Sequence, residues 1–127
     1  MDILIRFGFT MEEIKNMMDT NDKIEETSDK NINEILDILK NIDCEEAQIK
    51  NIFLCNPFCL TKESKEIKNL IQKIKEIHFQ KPALLLDSNP YLLNMQTEEL
   101  EEWMNQKKQD NLTEEQIKDC LQYDMIF

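Results

Sequence analysis

The chain has 127 residues, 41% of them hydrophobic, which is enough to fill one core and excludes wholesale disorder. One glycine and three prolines are too few turn residues for a sheet protein, so helices are favoured. A net charge of −11 opposes non-specific binding to nucleic acid or anionic lipid.

The first predicted helix covers 10–19. Thr10 and Glu13 have capping-box spacing, and Ile14, Met17 and Met18 recur at i, i+3, i+4. A second helix is predicted over 29–41, where Ile32, Ile35, Leu36 and Leu39 extend the same ladder by a turn. The third, 45–55, carries Ile49, Ile52 and Phe53 and stops at Asn56-Pro57. Proline has no N–H to donate and pushes the preceding residue out of the helical region. The fourth, 63–77, carries Ile67, Leu70, Ile71 and Ile74, and the fifth, 82–88, stops at Asn89-Pro90. The sixth covers 97–108 with Leu100, Trp103 and Met104. The seventh, 113–122, opens on a second capping-box pair, Thr113 and Gln116. Thr61, Ser64 and Thr97 are candidate caps for helices that follow a break. The links Ile24, Phe58-Cys59-Leu60 and Tyr91-Leu92-Leu93 are apolar, which predicts tight turns packed inward.

These elements repeat. Asn21-Asp22, Asn56-Pro57 and Asn89-Pro90 lie 35 and 33 residues apart, with aliphatic or aromatic residues at matching offsets on both sides. Leu112-Thr113-Glu114-Glu115-Gln116-Ile117-Lys118 restarts the pattern of Phe9 to Lys15. One unit cannot bury both of its stripes alone, whereas stacked units share a core. The expectation is all-α: a short right-handed α-solenoid of about three and a half helix–turn–helix repeats of ~35 residues with Asn-Pro/3₁₀ breaks. It forms a single domain, 1–127, with units at approximately 8–42, 43–77, 78–110 and a partial 111–127.

Three stretches carry a resemblance: Phe7-Gly8-Phe9-Thr10-Met11-Glu12-Glu13-Ile14, Ile52-Phe53-Leu54-Cys55-Asn56-Pro57-Phe58-Cys59-Leu60, and Leu84 to Leu93 around Asn89-Pro90. The first is similar to the Gly-Phe entry into the first helix of a unit of the mTERF family, the mitochondrial transcription-termination-factor-like proteins. The other two are similar to that family's Asn-Pro exit. The resemblance implies an α-solenoid half-ring that binds double-stranded nucleic acid along a basic concave face. This chain departs from it by being far shorter and by being acidic.

Charge is unevenly spread. Residues 1–46 have a net charge of −8, residues 47–82 of +4 and residues 83–127 of −7. The basic middle holds the candidate binding surface: Lys65, Lys68, Gln72 and Lys75 share one helical face, with Lys62, Lys73 and Lys81 beside it. That surface would take a phosphate or an acidic partner; its plainer reading is the solvated side of an amphipathic helix, paired with Glu66 and Glu76. The acidic pairs, such as Glu98-Glu99 and Glu114-Glu115, suit the first turns of helices, or else form a surface that mimics nucleic-acid phosphate or meets a basic protein. Trp103 sits at a core position and is also a candidate interface anchor. Met11, Met17, Met18, Met95, Met104 and Met125 read as core fillers, and the four cysteines as core thiols. No metal and no cofactor is expected: a Cys55–Cys59–His78 zinc site is disfavoured because Pro57 breaks the helical spacing.

No nucleophile, Walker or Rossmann motif occurs, and a lone histidine leaves few bases, so no catalytic residue is expected. With no bilayer-length apolar run and no basic n-region at the N-terminus, the expected location is cytoplasmic. The expected function is a non-catalytic protein-interaction module, regulatory or inhibitory. The alternatives are an mTERF-like nucleic-acid binder acting in transcription, and a self-assembling module joined through the apolar 123–127 end or through basic-middle-to-acidic-flank contacts.

Overall fold

The computed structural model describes residues 2–76 and 81–123. Among them the chain is all-α, with no strand: α1 Asp2–Phe7, α2 Met11–Thr20, α3 Asp29–Asn41, α4 Glu46–Cys55, α5 Ser64–Glu76, α6 Pro82–Ser88, α7 Thr97–Gln109 and α8 Glu114–Tyr123. Three 3₁₀ turns join paired helices: Asp22–Glu26 between α2 and α3, Pro57–Thr61 between α4 and α5, and Pro90–Asn94 between α6 and α7. Each helix–turn–helix set is called a unit below.

Like elements lie against like. Helix α3 contacts α1 and α5, and α5 contacts α7; α4 contacts α2 and α6, and α6 contacts α8; the 3₁₀ turns touch in chain order. The apolar ladders face inward along these rows. Ile32, Ile35, Leu36 and Leu39 of α3 and Ile67, Leu70, Ile71 and Ile74 of α5 are all buried, as are Ile49, Ile52 and Phe53 of α4. Burial of this apolar area is the main stabilising term.

The three asparagines fix the register. Each has left the helical region, at φ −139°, −136° and −137°, yet its N–H still bonds the carbonyl four residues back. The freed side chain then reaches into the next unit. Asn21 Nδ2 donates to Pro57 O at 3.3 Å and to Thr61 Oγ1 at 3.1 Å. Asn56 Nδ2 donates to Pro90 O at 3.0 Å, and Asn89 Nδ2 to Leu121 O at 3.0 Å. All three side chains are buried, so each amide satisfies a carbonyl that water does not reach.

Helix ends follow local chemistry. Thr10 and Glu13 form the anticipated capping box, at 2.9 and 3.1 Å, and Thr113 with Gln116 form the other, at 2.9 and 3.2 Å. Gly8 closes α1 at φ +120°, a conformation that side-chain-bearing residues rarely adopt. Asp43 and Asn111 take left-handed φ after α3 and α7, and the next N–H of each reaches back to Leu39 O and Lys107 O.

Several expectations are corrected. Helix α1 lies ahead of the first predicted helix. Thr61 caps nothing: it ends a 3₁₀ turn, its hydroxyl bonding Phe58 O. Ser64 and Thr97 are first helical residues rather than caps, while Ser28 Oγ caps α3. Of the link residues, Ile24, Cys59, Leu60, Leu92 and Leu93 are buried, but Phe58 and Tyr91 face outward. Met11 and Cys55 are exposed rather than core, because they sit on the polar faces of α2 and α4. Met125, His78 and the side chains of the 123–127 end lie outside the described residues.

Candidate functional site

The basic middle does not make one surface. Lys62 follows the second 3₁₀ turn, and its position next to the third unit is set by that turn packing on the next. Its ammonium donates to Leu93 O at 2.8 Å and to Met95 O at 3.0 Å, the carbonyls at the end of the third turn. Desolvation lowers its pKa, opposed by Glu66, Cys59 and Glu99. Lys62 is therefore half-buried and occupied by the fold. Lys73 pairs with Glu76 at 3.4 Å and with Glu101 of α7 at 3.6 Å. Its pKa is raised, chiefly by the hydrogen bond to Glu76.

The remaining lysines are exposed, Lys65, Lys68 and Lys75 along α5 and Lys81 directly before α6. Lys65 and Lys68 border a hollow of about 370 Å³ that also holds Glu34, Asp37, Ile38 and Ser64. Lys68, Gln72 and Lys75 meet Ile38, Asn41, Ile42 and Ile71 around a smaller one of about 130 Å³. Lys75 and Lys81 share a third, of about 460 Å³, with Asp43 and Glu45. Thus Lys65, Lys68, Gln72 and Lys75 do lie on one face, as their spacing implies. Two of the three hollows they border also carry carboxylates, so the cations form islands beside acid.

Trp103 is half-buried against the core, with the Lys107 amine 5.6 Å from its ring centroid. Its counterparts in the earlier units, Ile35 and Leu70, are fully buried. One turn on, where those units place Leu39 and Ile74, this unit has Lys107. The face of α7 that corresponds to the buried ladders of α3 and α5 is thereby more polar than theirs.

The acidic pairs largely serve helix starts. Glu12, Glu13, Glu46, Glu98, Glu99, Glu114 and Glu115 all sit in first turns, where carboxylates complement the helix dipole. Glu13 also accepts the Thr10 N–H, which lowers its pKa, and lies 3.6 Å from Lys50. The two buried thiols are poor nucleophiles. Burial pushes Cys59 up to about 12, and burial with Asp87 and Asp43 pushes Cys44 up to about 11. Among the described residues no three metal-ligating side chains converge.

Of the placements corrected above, those of Phe58 and Tyr91 bear on binding. Both stand two residues past their Asn, and the next residue, Cys59 or Leu92, is buried. A 3₁₀ turn has three residues per turn, so neighbouring residues in the link cannot all point inward. That period was the available signal. Against known protein families, characterised proteins and solved structures, the chain has no match. No helix among the described residues is long and apolar enough to cross a membrane.

Proposed function

We propose that the chain is a non-catalytic binding module whose partner is a protein, built as a short right-handed α-solenoid. The element-on-like-element packing and the three Asn bridges support the solenoid reading. The observation that carries the protein-partner reading is the division of the lysines. Lys62 and Lys73 are engaged within the fold, and Lys65, Lys68, Lys75 and Lys81 border hollows, two of them lined with acid. Duplex binding draws on many neutralised phosphates, which separated cations on a −11 chain supply poorly.

The mTERF-like reading is favoured by one feature, a 3₁₀ turn that follows each Asn-Pro and joins the two helices of its unit. It predicts duplex binding that weakens steeply with salt and is lost when Lys65, Lys68 and Lys75 are reversed to Glu. Fluorescence anisotropy of a labelled duplex at low salt decides between the two. We expect no binding; a salt-dependent, lysine-dependent isotherm would overturn the protein-partner reading. The self-assembly reading draws on the −8, +4, −7 charge pattern. In that mode the basic middle of one copy would meet an acidic flank of another, yet Lys62 and Lys73 of that middle are already engaged within the fold. Light scattering at high concentration and low salt should report a monomer.

A further inference from the structure

We propose that Phe58 and Tyr91 form a docking ridge for a cationic amphipathic helix of the partner protein, an inference that rests on the protein-binding reading above. The two rings occupy the same place in consecutive 3₁₀ turns, and those turns lie against each other. Phe58 is 49% exposed and Tyr91 37%, while Cys59 and Leu92 beside them are fully buried. Leu54, four residues before Phe58, adds a third exposed apolar side chain at 38%. The exposed positions nearest in sequence, Cys55, Ser88 and Asn94, are uncharged.

Spacing and charge choose the occupant. Packed neighbouring elements stand ~8–10 Å apart. Positions i and i+7 of a helix are ~10 Å apart along its axis, so one apolar stripe of a partner helix meets both rings. Exposed aromatics of this kind are the side chains on which interfaces concentrate their energy. In the first unit the place of Phe58 and Tyr91 is taken by Lys23, and four exposed acids, Asp19, Asp22, Glu25 and Glu26, surround it in sequence, so that stretch is net acidic. A cationic end on the partner complements that stretch. A second copy of this chain docked ridge to ridge would bring the same acid to it and be repelled.

The test uses the whole chain and a synthetic Leu/Lys amphipathic peptide with leucines at i and i+7. We expect saturable one-to-one binding, with NMR shift changes centred on Leu54, Phe58 and Tyr91. Phe58→Ser and Tyr91→Ser should each weaken it by about tenfold while leaving the helical circular dichroism intact, since both rings are outward. Reversing Asp19, Asp22 and Glu26 to Lys should flatten the salt dependence. Shift changes centred instead on Glu98–Glu102 or Glu114–Glu115 would overturn the ridge. So would serine variants that bind as well as the parent, or a dimer dispersed by Phe58→Ser. Duplex affinity would sink the underlying protein-partner reading, whereas a silent ridge without duplex affinity would sink this inference alone.

Discussion

Where the first unit meets the second, the polar links between α3 and the next unit are short and mostly neutral. Asn31 Nδ2 donates to Lys62 O at 2.8 Å, Asn31 Oδ1 accepts from Ser64 N at 3.0 Å, and Ser64 Oγ donates to Glu34. Where the second unit meets the third, charge does that work. Lys62 Nζ reaches Leu93 O and Met95 O, and Lys73 reaches Glu101. Beneath both lies the same apolar ladder and the same Asn bridge, from Asn21 or from Asn56. The invariant parts of a junction are thus the buried ones. The main-chain carbonyls that close a 3₁₀ turn accept whichever donor is near, an amide in one case and an ammonium in the other.

The change expected to break both junctions at once is Leu70→Ala. Leu70 is fully buried on α5, which lies against both α3 and α7. The loss should be about 2–5 kcal/mol in urea or thermal unfolding, set by how far the cavity collapses. A cost near zero would mean that α5 is not the shared wall. Next come the bridges. Asn21→Ala and Asn56→Ala each leave a proline carbonyl without its donor and should cost about 1–3 kcal/mol. Asn56 is 0% exposed and Asn21 5%, so the second bridge should cost at least as much as the first. The reverse order would show that the Thr61 contact, unique to Asn21, outweighs depth.

Smaller still are Asn31→Ala and Lys62→Ala, each about 1 kcal/mol, since desolvation of the Lys62 ammonium offsets part of its two bonds. They act at different junctions, so the double variant should be additive within ~0.5 kcal/mol. Measured coupling beyond that would mean that the Lys62 backbone, which accepts from Asn31, and its side chain, which donates onward, transmit strain between junctions.

Lys62 also shows what the sequence could and could not disclose. The ladders Ile32-Ile35-Leu36-Leu39 and Ile67-Leu70-Ile71-Ile74 announce α3 and α5 because helical periodicity is a local property. Asn-Pro announces the breaks for the same reason. Helix α1 was silent: Ile3, Leu4, Ile5 and Phe7 in a six-residue helix lack both period and cap. Lys62 reads as one cation among seven candidate-surface residues, since its partners are 31 and 33 residues away and only the packing of one turn on the next brings them close. The outward turn of Phe58 and Tyr91 was hidden by composition, as an apolar triplet suggests burial until its 3₁₀ geometry is imposed.

Acid and alkali pull on the two junctions separately. At the first, Glu13 lies beside Lys50, whose ammonium also donates to Gly8 O at 3.1 Å. The folded pKa of Glu13 is lowered from 4.5, mainly by the Thr10 N–H and then by Lys50. Its contribution is therefore present above pH 4.5 and lost as pH falls through the lower folded value. At the second, Lys73 is raised above 10.5 by Glu76 and Glu101, so its contribution is present below 10.5 and lost as pH rises beyond it. Lys62 acts in the opposite sense: its lowered pKa means that stability rises as pH climbs from the folded value toward 10.5. Melting curves of the parent, Glu13→Gln and Lys73→Gln across the pH range separate these effects. Glu13→Gln should flatten only the acid limb and Lys73→Gln only the alkaline one, by small amounts because both ion pairs remain partly open to solvent. If Glu13→Gln changed the alkaline limb as well, the junctions would be titrating as one cooperative body rather than as neighbours with their own chemistry.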